Sequence, residues 1–295
     1  MLFNPAYYVI SSSGSSGGGY YYDFMSLSPI LYGPPSSSGI TSLVNTSIKA
    51  VVADYAFASL SALSRVSLAN CVYVGYYAFY SCSKLSSIYL PNCEYISGGA
   101  FYGCSSLVSI SLSKCKVIES YAFFVCNRLS NISFPNCEYI GANAFSGTTS
   151  LSTVRFPKCK YIGAAAFRGK TMSVISFPAC EYIGDYAFYL CRGITSVTFP
   201  KCRVIEQAAF SGCSNLSLVS FPKCEYVGAS AFYMCTSLNT VYFLNSAKVT
   251  LRNSHIFDQT VLLNGSGHIY VPTSLYSQYY NDSVWSWYRS VLTSY

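Results

Sequence analysis

Few kinds of side chain in this sequence could do chemistry. Cysteine leads with 14 residues, against 2 histidines and 11 acidic residues. A cysteine can be a nucleophile, a metal ligand or a disulfide partner, and each role needs specific neighbours. A nucleophile needs a base or cation that makes the thiolate, zinc needs a converging tetrahedral set, and a disulfide needs a second Cβ about 3.8 Å away. The cysteines are Cys71, Cys82, Cys93, Cys104, Cys115, Cys126, Cys137, Cys159, Cys180, Cys191, Cys202, Cys213, Cys224 and Cys235. Most gaps are 11 residues, so they form two interleaved series of period 22. The first runs from Cys71 through Cys93 to Cys224, and the second from Cys82 to Cys126 and from Cys191 to Cys235, with Thr148 and Lys170 at its two other places. Each series has one step a residue short, which places a deletion between Phe167 and Met172. Half a period puts the two series on opposite sides of a coil, so they cannot converge on zinc. Neighbours within a series would stack about 4.8 Å apart, farther than a disulfide wants. The second series also breaks into two runs of three, which cannot pair completely. The reading is buried, reduced, structural cysteine. His255 and His268 lie outside the regular repeats and outside any H-E-x-x-H pattern, and no phosphate-binding glycine motif is present. No catalytic, metal or cofactor site is expected.

A fixed period of this length marks a repeat protein. The unit reads C-x-Y-I-G-x-x-A-F-x-x-C-x-x-L-x-x-I-x-F-P-x. Its phenylalanine column starts Phe57, Phe79, Phe101 and reaches Phe232. Leu85, Ile88 and Leu90 begin the L-x-x-I-x-F segment of one unit, and Ile96 comes after its first cysteine. The alternation at I-x-F predicts a short strand with its middle residue outward. Proline after it, as at Pro91 and Pro135, sits where the strand ends. Glycine at Gly75, Gly141, Gly163, Gly184 and Gly228 predicts a turn of unusual backbone angles. One unit cannot bury its own core, so stability belongs to the stack.

The core L-x-x-L-x-L-x-x-[N/C]-x-L appears as Leu85, Ile88, Leu90, Cys93 and Tyr95, and again in each unit. This resembles the leucine-rich repeat, and the added I-G-x-x-A-F-x-x-C segment resembles the BspA-like subfamily. The resemblance covers about residues 50 to 245. It implies a leucine-rich-repeat solenoid, right-handed, with a parallel β-sheet on the concave face and short turns or 3-10 segments on the convex face. It also implies bacterial surface adhesion and ligand binding, and such repeats occur in virion and prophage proteins.

The division read from the sequence is a Gly/Ser/Tyr-rich leader or attachment segment at 1–40, a solenoid of about ten coils at 41–272, and a C-terminal cap at 273–295. Val44, Val52 and Phe57 are read as a partial first coil, and Ile256, Phe257, Ile269 and Val271 as a degenerate last one. Leu275, Tyr279, Tyr280, Val284, Trp285, Trp287 and Tyr288 are read as short helices whose aromatics cover the open end. The first ten residues carry no Lys or Arg and no long apolar run comes after them, so no secretory signal is read. A hydrophobic fraction of 52% excludes a disordered chain. Mean hydropathy is +0.33, yet Ser, Gly or a charge breaks every long apolar run, which argues against membrane insertion. The net charge of +7 is too dispersed for a nucleic-acid footprint.

Three surface columns are candidate sites. Outward strand positions form a candidate binding face: Tyr89, Ser111, Ser133, Arg155, Ser176, Thr198, Ser220 and Tyr242. Lys114, Lys158, Lys201 and Lys223 form a candidate basic edge suited to an anionic glycan. Glu94, Lys116, Glu138, Lys160, Glu181, Arg203 and Glu225 alternate in sign over seven coils and read as a structural charge ladder that fixes register. Tyrosines concentrate at Tyr73, Tyr95, Tyr139, Tyr161, Tyr182 and Tyr226, and again at Tyr80, Tyr102, Tyr189 and Tyr233, the second set being either packing or a stripe for saccharide stacking. The functional reading is a noncatalytic adhesion solenoid that recognises a protein or glycan at the extracellular surface. The alternative is a structural or receptor-binding component of a phage or prophage virion, a tail or head fibre docked to other virion proteins through residues 1–40. An intracellular scaffold, and so a cytoplasmic location, is a third class that reduced cysteines fit.

Overall fold

The computed structural model describes residues 30–31, 41–45, 50–169 and 171–295. Lys170 and most of the proposed leader lie outside the described residues. The described chain winds into a solenoid of parallel strands, about eleven turns long, closed by a short helix.

Each coil adds one strand to each of two columns. The short strands beside the first cysteines, such as Cys71–Val74, Tyr95–Ile96 and Val117–Ile118, join Ile30–Leu31 and Ala50–Val52 in one parallel sheet of eleven. The I-x-F strands, such as Ser87–Tyr89 and Thr153–Arg155, form the second column, divided into sheets of four, three and five strands. Register advances one repeat per step, with Tyr139 beside Tyr161 and Ile140 beside Ile162. The shortened coil keeps step, since Thr153 pairs with Val174 and Tyr161 with Tyr182. The next coil lies close against it at Gly193, where a Cβ would stand 2.1 Å from the Thr171 carbonyl oxygen.

The Ala-Phe turns tie the remaining side. Tyr77, Phe79 and Ser81 donate their N–H groups to the carbonyls of Gly98, Ala100 and Tyr102 in the next coil at 3.1, 2.7 and 2.7 Å. The residues between them bond back within their own coil. Aiming alternate N–H groups along the axis needs left-handed backbone at the outer two positions, where Tyr77 has φ 50° and Ser81 φ 54°. Val125 holds such a position at φ 60° despite its branched Cβ.

Inside, one phenylalanine per coil stacks on the next from Phe57 to Phe257. Centroids are 5.1 to 5.5 Å apart and planes within 12° of parallel. All fourteen cysteines are buried, and none is joined in a disulfide. They are also donors. Each first-series thiol reaches the carbonyl two residues on, as Cys93 does to Tyr95 at 3.3 Å. Each second-series thiol reaches back to the phenylalanine carbonyl of the preceding coil, as Cys104 does to Phe79 at 3.2 Å. Thr148, at a vacant cysteine place, turns instead to Phe145 of its own coil at 2.5 Å.

Three expectations need correction. The recurrent glycine column does not adopt positive φ; the left-handed positions fall mostly on other residues. Gly141 is required by close approach, because a Cβ there would lie 2.4 Å from the Ser120 backbone nitrogen. Val44 is 61% exposed, and its neighbour Leu43 packs inward instead, because Leu43 registers with core Val66 and Val44 with outward Ser67. At the other end Trp287 is 72% exposed and Tyr280 is also exposed. Tyr279, Trp285 and Tyr288 close the core. The Trp285 indole donates to the Val249 carbonyl at 2.9 Å, and the Tyr279 and Tyr288 hydroxyls accept the Val249 and Ile256 N–H groups. The chain then adds one last strand, Leu292–Ser294, beside His268–Val271.

Close approach and left-handed strain make different predictions at two glycines. Gly141→Ala, which must push backbone aside, is expected to cost about 3 kcal/mol. Gly169→Ala, with φ 73° and nothing within 4 Å of its Cβ, is expected to cost about 1 kcal/mol. Urea unfolding measures both, and equal costs would contradict this account of the column.

Candidate binding surfaces

The outward strand residues do stand in register, but in three blocks that match the sheet divisions. Tyr89 lies beside Ser111, Arg155 between Ser133 and Ser176, and Ser220 between Thr198 and Tyr242. Tyr89 is 51% exposed, and Arg155, Ser133, Ser176 and Thr198 are exposed. Ser111, Ser220 and Tyr242 are half-buried. Tyr242 is half-buried because the face continues past it. Tyr270 stacks on it at 4.7 Å, and Tyr295 stands across both rings. His268 tilts against Tyr270, and its Nδ1 lies 3.0 Å from the Thr293 hydroxyl. Tyr270 is absent from the outward positions read from the sequence, although Ile269 and Val271 on either side of it are read as part of the last coil. The step from Tyr242 to Tyr270 is 28 residues, so the period that finds the other members passes over it.

Lys114, Lys158, Lys201 and Lys223 are all exposed, just beyond the strand ends. Lys158 reaches the Asn136 amide oxygen at 2.7 Å. Next to this edge runs the alternating charge column, which includes ion pairs of Lys116 with Glu94 and Lys160 with Glu138, each at 2.8 Å, and of Arg203 with Glu225 at 2.7 Å. Lys160 holds the Glu138 carboxyl below the usual carboxylate range, with Lys158 and Lys116 adding to the effect. Arg203 does the same to Glu225.

The first tyrosine column is a ladder of stacked, mostly half-buried rings. Tyr73 stacks on Tyr95 at 5.4 Å, and Tyr139, Tyr161 and Tyr182 succeed one another at 4.8 and 4.7 Å. The Tyr95 hydroxyl bonds the Glu119 carboxylate and Tyr182 bonds Glu206 at 3.2 Å. Burial, then the carboxylate, raises both phenols. In the second column Tyr80, Tyr102 and Phe124 pack on one another at 5.3 and 4.9 Å, and Tyr189 lies under the Arg168 guanidinium. Their rings are half-buried, with the exposed Tyr55, Tyr76 and Tyr121 close by.

A profile of the BspA type leucine rich repeat region matches residues 50–174 and 160–280, in six copies. The chain belongs to this family. Among solved structures it is similar to a leucine rich cell surface protein from Faecalibacterium prausnitzii, with TM-score 0.54 and 18% identity over 90% of this chain and 89% of that one. It also matches the leucine rich repeat protein of T. pallidum, with TM-score 0.41 and 25% identity over 71% of this chain and 82% of that one. No curated protein matches. Among the described residues of this BspA-type array, no group of three or more His, Cys, Asp or Glu is arranged to hold a metal ion. No helix among them is long and apolar enough to cross a membrane.

The charge column gives a test of what holds the BspA-type coils in register. Lys116→Glu with Lys160→Glu sets five carboxylates in consecutive coils, from Glu94 to Glu181. Tm is expected to fall at low ionic strength and to recover largely in about 1 M salt, where the Debye length is about 3 Å. A fall of equal size at both salt concentrations would contradict an electrostatic role.

Proposed function

We propose that the chain is a noncatalytic adhesion solenoid that recognises a protein or glycan at a cell surface through its outward strand face. The observation that carries this reading is the family membership over most of the chain. The likeness in fold to a cell surface protein agrees with it. The face itself has suitable chemistry. Its hydroxyls can donate and accept toward sugar or peptide, and its tyrosines offer large contact area at low entropic cost. Arg155 adds a charged fork among neutral neighbours, and the lysine edge supplies weak attraction to anionic surfaces. A rigid stack presents all of these without reorganisation, which favours binding. The repeats hold no histidine to activate any of their cysteines or serines. The virion-fibre alternative depends on residues 1–40, nearly all outside the described residues, and no observation favours it.

The test is binding of the purified protein to bacterial and host cells and to a glycan array. Substituting Tyr89, Arg155 and Tyr242 together by alanine is expected to lower binding at least about tenfold while leaving the circular dichroism spectrum unchanged. A folded triple variant that binds like wild type removes the strand face from the account. A wild-type protein that binds no cell and no glycan overturns the adhesion reading.

A further inference from the structure

The tyrosine ladder is interrupted twice, and both interruptions are built alike. Val117 stands between Tyr95 and Tyr139 in the eleven-stranded sheet, and Val204 between Tyr182 and Tyr226. The surrounding sequences are Cys115-Lys116-Val117-Ile118-Glu119 and Cys202-Arg203-Val204-Ile205-Glu206. The same exchanges therefore occur together: valine replaces tyrosine, and two residues on, glutamate replaces glycine. From Gly75 to Gly228 that second position carries glutamate in these two coils and glycine or serine in the others. Both valines are only half-buried, so the floor of each gap is open.

The dimensions admit one flat group. Rings in adjacent coils are 4.7 to 5.4 Å apart. Rings that flank a valine are two strand steps apart, about 9.6 Å. A planar group in contact with a ring face needs about 3.5–4.0 Å on each side, so one such group fits between the two rings and two do not.

The charges select which kind of group. Lys116 and Arg203 are matched by Glu94 and Glu225. Glu119 and Glu206 then leave each gap negative on a protein whose net charge is +7. Glu119 accepts the Tyr95 hydroxyl and the Gly98 N–H, the latter at 2.8 Å. Glu206 accepts the Tyr182 hydroxyl. Those bonds hold each carboxylate at the hydroxyl of a tyrosine that borders its gap, and every oxygen keeps a second lone pair. A guanidinium is flat, stacks on aromatic faces and pairs with carboxylates, whereas an ammonium is a compact point charge.

We propose that the two gaps are arginine-binding clefts, filled together by an extended segment of a partner protein that carries two arginines. The clefts are four strand steps apart, about 19 Å, which an extended chain covers in about six residues. Each arginine stacks between two tyrosines over a valine floor and pairs with the glutamate. The proposal rests on the reading of the solenoid as a binding scaffold, but it names a different surface and one class of partner.

A fluorescein-labelled peptide with two arginines separated by five Ser, Thr or Gly residues is the probe, monitored by anisotropy with the full chain. It is expected to bind at least about tenfold more tightly than a peptide with one arginine, because the second cleft is engaged intramolecularly. Replacing both arginines by lysine is expected to lose at least about tenfold. The decisive variant is Val117→Tyr with Val204→Tyr, which installs the residue that six other coils carry at that place. It is expected to fold with unchanged or higher Tm and to lose the peptide. Glu119→Gln with Glu206→Gln, which keeps the shape and removes the charge, is expected to weaken binding as well. A tyrosine-filled variant that binds like wild type, or a lysine peptide that binds as well as the arginine one, overturns the proposal. A wild-type chain that adheres to cells and ignores the peptide also overturns it and leaves the adhesion reading intact, whereas one that binds the peptide and no cell or glycan does the opposite.

Discussion

One distance governs this molecule: the step from each coil to the next, set by hydrogen bonds between parallel strands. Because that step repeats, a residue's neighbours along the axis are its own counterparts. A phenylalanine must therefore stack on phenylalanine, with centroids near the strand spacing. The glycines at Gly141 and Gly163 are needed because the preceding backbone comes too close for a Cβ. The cysteines of the second series fit because a thiol is small, tolerates a dry site and still donates to a carbonyl one coil back. The turns accept left-handed backbone at tyrosine, serine and even valine, because only then do their N–H groups point along the axis.

The same regularity decides what is legible in the sequence. Period alone locates the buried columns, since a residue type repeated every coil must face the same environment every coil. It locates the strands of the second column through the I-x-F alternation, and the closing aromatics Tyr279 and Trp285. It misjudges the glycines, because a column of glycine looks the same whether it serves positive φ or close approach. Val44 and Trp287 are misplaced at the ends, where the repeat lapses and a one-residue shift turns a side chain outward. Alternation of sign points to opposite charges in neighbouring coils, and ion pairs such as Lys160 with Glu138 stand in that column. Tyr270 escapes notice because an insertion in the last coil hides its register with Tyr242.

Surface columns are under weaker packing constraint than buried ones, so departures there are informative. On the strand face Tyr89, Arg155 and Tyr242 depart from a row of small hydroxyls. On the tyrosine ladder Val117 and Val204 depart from a row of rings, each with its own glutamate. Both sets sit on strands whose positions the core fixes, so neither needs a mobile loop to present it.

The central claim is that the coils stack on a dry, close-packed core in which the buried thiols stay protonated. Burial pushes Cys82, Cys115, Cys180 and Cys224 up to about 12, from an ordinary 9.0. Once unfolded, these thiols would ionise above pH 9, while in the folded chain they stay protonated. Their contribution is therefore complete below about pH 9 and is lost as pH climbs toward 12, by about 1.4 kcal/mol per pH unit for each thiol. The direct measurement is Tm by far-ultraviolet circular dichroism across this range. The account predicts a steady Tm up to about pH 9, then a steep fall that begins below the ordinary tyrosine range near 10 and ends in loss of strand signal before pH 12. A Tm that stays level through pH 11 would contradict it.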